Sequence, residues 1–244
     1  MSAKNTASFS QILRKSSYAW IILGVLVVPI AWLHAAEKPA DKLPANFVDV
    51  AGRIPGIEVD VRYFGDDNFV GSHIEGDNSA KIFITMPAAD ALTLVQSELN
   101  AFGLGLKIFD GYRPQRAVDH FVRWAKDLSD TRMQARYYPT VDKENLFRDG
   151  YIAERSGHSR GSTLDLTMVT LSTDQALDMG SGWDFFDPKS WPSSSAVTAI
   201  QRENRMLLRS TMVKHGFIPL TEEWWHFTLE DEPFPNTYFD FEIN

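Results

Sequence analysis

The sequence predicts an α+β fold, with a central, mainly antiparallel sheet flanked by helices in a single domain. Three observations predict it. Short alternating or apolar runs at 57–64, 81–85, 104–110, 163–169 and about 224–229 read as strands. Apolar stripes at helical spacing follow Pro87 and Pro114, and a third helix is expected over about 195–215. These elements mix without strict βαβ alternation, which favours helices packed on an antiparallel or mixed sheet.

The first 36 residues stand apart. Lys4, Arg14 and Lys15 precede an apolar stretch from Ala19 to Leu33, and small residues follow at Ala35 and Ala36. A basic start, a short apolar run and a small-residue exit describe an export signal. The run contains Pro29 and is short for a spanning helix. The reading is therefore a cleaved signal peptide or a retained N-terminal anchor over 1–36. A polar, Pro-containing linker follows at 37–46, and export predicts a periplasmic location.

Along the folded part, "IEVDVRYF" at 57–64 alternates and reads as a strand, and 66–79 is rich in loop formers. "KIFIT" at 81–85 is a second strand. Pro87 opens a helix with Ala88, Ala91, Leu92, Val95 and Leu99 on one stripe. A proline suits the first turn because its missing N–H had no partner there. "LGLKIFD" at 104–110 is a strand. The next helix turns Val118, Phe121, Val122, Ala125 and Leu128 inward, and 129–150 is irregular and charged. In the strand at 163–169, Leu164, Leu166 and Met168 face the core, while Thr163, Asp165 and Thr167 take the polar face. The last long helix ends near His215, with Gly216 as its natural stop.

Composition narrows the function. The chain has 244 residues, 44% of them hydrophobic and 12% aromatic, enough for a sizeable core. Residues after 36 hold all 32 acidic residues and 21 of the 24 basic ones, a net charge of −11. That balance argues against nucleic acid as a partner. No cysteine is present, which excludes disulfides and thiolate metal sites.

"SGHSRGSTLDLTMV" places His158 and Asp165 seven positions apart. Seven is odd, so one straight strand cannot point both the same way. The turn "SRGS" resolves this, because Gly161 can take a positive φ and fold the chain back. Imidazole and carboxylate are suitable ligands for Zn²⁺, although a hydrogen-bonded turn shows the same pattern. Among the six histidines, His34 lies in the leader and His73 in a loop. His120 sits in a helix with its own apolar stripe, and His215 at a helix C-terminus. His226, in "TEEWWHF", is the best third ligand. A base beside it is Glu222 by strand parity, or Glu223 if the chain bends before Trp224. Arg113 precedes a helix, where its charge opposes the helix dipole. It either pairs with an acid such as Asp110 or is held for an anionic substrate or developing oxyanion.

Together, "SGHSRGSTLDLT", "DGYRPQRA" and "EWWH" resemble the signatures of the D-alanyl-D-alanine dipeptidases, the VanX-type zinc peptidases. "VDVRYFGDDNFVG" at 59–71 and "MGSGWDFFD" at 179–187 also look like segments of that family. The resemblance covers about 47–230, and it implies a zinc D,D-dipeptidase domain over 47–244. It implies one Zn²⁺ per chain on His158, Asp165 and His226, with Glu223 as the catalytic glutamate. Arg113 then matches the arginine that stabilises the tetrahedral intermediate, and Ser156 and Asp184 match residues that help hold the dipeptide's ammonium group. One departure stands out: Thr163 replaces the alanine of the motif S-x-H-x-x-G-x-A-x-D, which bears on pocket shape. The implied reaction is hydrolysis of D-Ala-D-Ala in the cell envelope. Its small-molecule dipeptide is the expected partner, with membrane contact only through an uncleaved leader. The alternatives are a D,D- or L,D-carboxypeptidase acting on longer stem peptides and a zinc-stabilised binding module without activity.

Overall fold

A computed structural model describes residues 43–244. The expected leader and most of the linker lie outside the described residues. Among the described residues, no helix is long and apolar enough to cross a membrane.

The strands are β1 (Phe47–Asp49), β2 (Glu58–Val59), β3 (Phe83–Thr85), β4 (Leu104–Asp110), β5 (Thr163–Thr170), β6 (Phe217–Pro219) and β7 (His226–Leu229). The helices are α1 (Val50–Arg53), α2 (Met86–Asn100), α3 (Gln115–Lys126), α4 (Gln134–Tyr137) and α5 (Ala199–Lys214). Five strands form one sheet in the order β2-β4-β5-β7-β6, and β1 pairs with β3 in a separate two-stranded ladder. Only β2–β4 is parallel, while β4–β5, β5–β7 and β6–β7 are antiparallel. The class is α+β with a mainly antiparallel sheet, as the element pattern predicts.

The register positions the site. Asp110 on β4 pairs with Asp165 on β5, and Asp165 pairs with His226 on β7. Directly opposed residues carry Cβ atoms about 4.5–5.5 Å apart, so their side chains meet. The β4–β5 register shifts between Ile108 and Asp110. Such bulges re-aim a side chain, and this one occurs at the residue that joins Asp110 to the row.

β5 is buried from Thr163 to Val169 on both faces. The sequence reading anticipated burial behind Leu164, Leu166 and Met168 alone. The other face is covered as well, because the loop carrying Trp183 packs over Asp165. Thr163 meets its cross-strand neighbour Thr228 through a 2.9 Å hydroxyl contact.

Several expected elements differ: the strand at 81–85 forms only at Phe83–Thr85, and the last one starts at His226 rather than about 224. The run 57–64 pairs only at Glu58–Val59, and Arg62–Phe64 then winds into a 3₁₀ turn. α3 ends at Lys126, so Leu128 is left exposed rather than inward. α5 begins at Ala199, where Thr198 and Gln201 form a reciprocal capping box. Residues 192–198 stay irregular ahead of it.

Gly161 ends the 3₁₀ turn Gly157–Arg160 with φ +83°. A Cβ there would lie 2.2 Å from Cε1 of Phe47. Gly161→Ala is therefore expected to cost more than about 1 kcal/mol from the positive φ alone, with the Phe47 clash added. Thermal denaturation should show a Tm loss of at least about 2–4 °C per kcal/mol in a chain of this size.

Candidate active site

Short local structures aim the side chains at one point. Ser156 caps the 3₁₀ turn, its Oγ accepting from the His158 N–H at 3.2 Å. That turn and Gly161 set His158 against the start of β5, which carries Asp165. The chain reaches His226 through a turn at Trp224–Trp225, and β7 begins only there.

Three donor atoms converge. His158 Nε2 lies 3.3 Å from Asp165 Oδ1 and 3.3 Å from His226 Nδ1, and His226 Nδ1 lies 3.1 Å from Asp165 Oδ1. Among the described residues these three form the one His/Asp/Glu cluster with ligand atoms this close. A tetrahedral zinc with bonds of about 2.05 Å has ligand-to-ligand edges of about 3.3 Å. The observed triangle fits that size.

The hydrogen bonds around the triangle also suit a cation. His158 Nδ1 lies 2.7 Å from the Gly111 carbonyl oxygen and 3.3 Å from Asp110 Oδ2. Two acceptors on that side keep the proton on Nδ1, so Nε2 offers a bare lone pair. Asp165 Oδ2 accepts from the indole N–H of Trp183 at 3.0 Å. Its Oδ1 is buried and accepts no hydrogen bond. A buried carboxylate oxygen without a donor is costly, and a metal ion at the centre of the triangle satisfies it.

The cavity at this point has a volume of about 320 Å³. Arg113, Ser156, His158, Asp165, Asp184, Glu223 and His226 all border it. Glu223 Oε2 lies 3.4 Å from His226 Nδ1. Burial is the main cause that pushes the Glu223 carboxyl up to about 7. Glu222 is exposed and accepts from the Thr221 hydroxyl. Strand parity, which leaned towards Glu222, does not apply because 222–225 lie outside the strand.

Arg113 makes the salt bridge that was one of the two roles left open by the sequence. Its Nε and Nη2 donate to Asp110 Oδ2 at 2.9 and 2.6 Å. Nη2 also lies 3.8 Å from Asp165 Oδ2. The guanidinium carbon sits 5.1 and 5.2 Å from the ring centres of Tyr63 and Phe121. The salt bridge thus holds a cation at the cavity wall.

Asp184 is buried, with φ +55°, and its Oδ2 accepts from the Tyr63 hydroxyl at 2.7 Å. Burial first, then the charge of Asp165, pushes its carboxyl well above the usual range. A cationic group entering the cavity would reverse that shift.

The other described histidines have separate partners. His73 meets the Phe64 carbonyl, His120 the Glu75 N–H and His215 the Glu98 carboxylate. Trp183 and Tyr63 were not singled out from the sequence. Both sit in loop or 3₁₀ segments, where no periodicity marks a residue. Asp110 entered only as a salt-bridge partner of Arg113, yet it also borders His158.

Residues 44–244 match the family model described as D-ala-D-ala dipeptidase. A D-alanyl-D-alanine dipeptidase of Streptomyces coelicolor is 43% identical over 201 residues, 82% of this chain and 100% of that protein. One from Enterococcus faecalis is 41% identical over 82% of this chain and 98% of its own length. One from Enterococcus faecium is 38% identical over 78% and 94%. With the match running through every site segment described above, the chain belongs to the D-ala-D-ala dipeptidase family.

Proposed function

We propose that this chain is a zinc dipeptidase that hydrolyses D-Ala-D-Ala to D-alanine in the cell envelope. The observation that carries the reading is the triangle of His158 Nε2, Asp165 Oδ1 and His226 Nδ1, whose carboxylate corner, Asp165 Oδ1, has no hydrogen-bond donor. Family membership and the names of its relatives support the substrate.

His158 Nε2, Asp165 Oδ1 and His226 Nδ1 would hold one Zn²⁺ per chain. Zinc bound there supplies Lewis acidity, polarising the scissile carbonyl and easing deprotonation of water. Glu223 accepts the proton of the attacking water on its carboxylate and delivers it to the nitrogen of the leaving D-alanine. Arg113 presents fixed positive charge to the oxygen that becomes negative as water adds to the carbonyl. Asp184 faces the substrate's ammonium group, steadied by the Tyr63 hydroxyl. Ser156 keeps a second Oγ lone pair for the same group, since the first accepts from His158.

The cavity lies at the small end of the range for ligand sites. A buried carboxylate for a free amine and a small enclosure suit a dipeptide better than the interior of a long stem peptide. Location in the envelope is supported by the basic start and apolar run of residues 4–33.

The test is hydrolysis of D-Ala-D-Ala by the purified chain, with and without a chelator, beside L-Ala-L-Ala and a pentapeptide ending in D-Ala-D-Ala. Chelator-sensitive cleavage of the D,D-dipeptide alone is the expected result. Cleavage of the pentapeptide would move the function to wall trimming, and no cleavage at all would leave a binding module. Fractionation of cells, with N-terminal sequencing of the product, tests export and removal of the leader.

A further inference from the structure

We infer that Trp183 is a positioning residue for the metal site: its indole N–H fixes Asp165 so that Oδ1 alone is offered to zinc. The inference rests on reading His158, Asp165 and His226 as zinc ligands.

A carboxylate offers two equivalent oxygens and can rotate about its Cβ–Cγ bond. Asp165 is not free to do so. Trp183 Nε1 donates to its Oδ2 at 3.0 Å, and Arg113 Nη2 approaches that same oxygen at 3.8 Å. Both donors act on Oδ2, while Oδ1 accepts no hydrogen bond and faces His158 Nε2 and His226 Nδ1. The asymmetry selects one ligand atom and one orientation. Groups outside the ligand set that orient a metal-binding side chain in this way raise metal affinity.

The donor itself is held from several sides. Trp183 is 3% exposed. Its ring stacks on Phe109 at 5.5 Å with 25° between planes, and tilts against Tyr63 at 5.0 Å. The Arg62 guanidinium lies 5.9 Å from its ring centre. A ring needed only for packing would serve without its nitrogen. Here the nitrogen bridges a loop to β5 across 18 residues of sequence.

The next residue extends the argument. Asp184 has φ +55°, in the left-handed region that aspartate enters more readily than most non-glycine residues. With this turn, consecutive side chains serve two purposes. Trp183 points at a metal-site carboxylate, and Asp184 borders the cavity beside it. One short segment thus orients the metal seat and the substrate's ammonium seat together.

The experiment measures zinc affinity by competition with a chelating indicator, in the full chain and in Trp183→Phe. Phenylalanine keeps an aromatic ring and loses the N–H. Zinc should bind about 10–100-fold more weakly, with the Tm of the metal-free protein near that of the wild type. Cobalt(II) substituted into the site should show a shifted visible ligand-field spectrum. If Trp183→Phe fails to fold, benzothienylalanine at position 183 replaces the N–H by sulfur at nearly constant volume and takes its place. Arg62→Met removes a contact on the Trp183 ring but leaves the N–H, and should keep wild-type zinc affinity.

Unchanged zinc affinity and an unchanged cobalt spectrum in the variant lacking the N–H would overturn the inference. So would an equal loss in Arg62→Met, which would mark a general packing effect. If the wild-type chain binds no zinc at all, the proposed function falls with it. Tight wild-type binding with no effect of the N–H removes this inference alone.

Discussion

Replacing Glu223 by alanine is expected to lower kcat for D-Ala-D-Ala by about 10²–10⁴-fold, the usual worth of a positioned general acid–base group. Zinc should stay bound, because Glu223 is not one of the three converging donors. Its Oε2 stands 3.4 Å from His226 Nδ1, beside the ligand triangle rather than within it. The exposed neighbour supplies the control, since Glu222→Ala should leave kcat near the wild-type value. The pH profile carries a second signature. A protonated carboxyl cannot take a proton from water, so activity falls as pH drops through the Glu223 value. Burial, the largest cause, and the neighbouring charges put that value at about 7, and the positive charge of a bound metal would draw it lower. The acid limb of kcat/KM is therefore expected below pH 7. Zinc content and steady-state rates, measured together, decide the matter. A Glu223→Ala protein with bound zinc and full activity would remove this residue from the mechanism.

The sequence made the centre of the molecule legible where local rules applied. β4 was read to the residue because glycines at 103 and 111 bound an apolar run. The turn from His158 to Asp165 followed from an odd spacing and one glycine, and Gly161 does take the left-handed conformation. Legibility failed where pairing or long-range contact decides. The 57–64 run alternates over eight residues, yet among the described residues β2 pairs with β4 alone, and for only two of them. The choice between Glu222 and Glu223 turned on whether residues 222–225 are extended. They form a bend and a turn, where period two has no meaning. Asp110 joins the site through a bulge, which no pattern in "KIFDGY" marks. Trp183 joins it through a hydrogen bond from a glycine-rich loop. The family resemblance named seven site residues, and the fold adds those that hold them.

Arg113 is where structure and chemistry are hardest to separate, and Arg113→Ala is expected to damage both. Its side chain is 12% exposed and that of its partner Asp110 is 6% exposed. Breaking a buried ion pair from one side strands the other charge, at a cost of about 3–5 kcal/mol. Asp110 also borders His158 Nδ1 at 3.3 Å, so an unpaired Asp110 pulls on a metal-site histidine. The catalytic loss, from removing a cation at a developing oxyanion, is expected to reach about 10²–10³-fold in kcat. Arg113→Lys separates the two effects. It restores a positive charge beside Asp110, so thermal stability should recover much of its loss. It cannot restore two N–H groups on Asp110 Oδ2 together with a third pointing elsewhere, because an ammonium lacks the planar fork. The expected pattern is a Tm that rises from alanine to lysine, with kcat lagging behind it. Rates should be taken well below the lower Tm, on protein with verified zinc content. If the lysine variant regains kcat in step with Tm, Arg113 acts by holding Asp110 and the fold. If kcat stays low in a stable, zinc-loaded lysine variant, the guanidinium itself meets the reacting carbonyl.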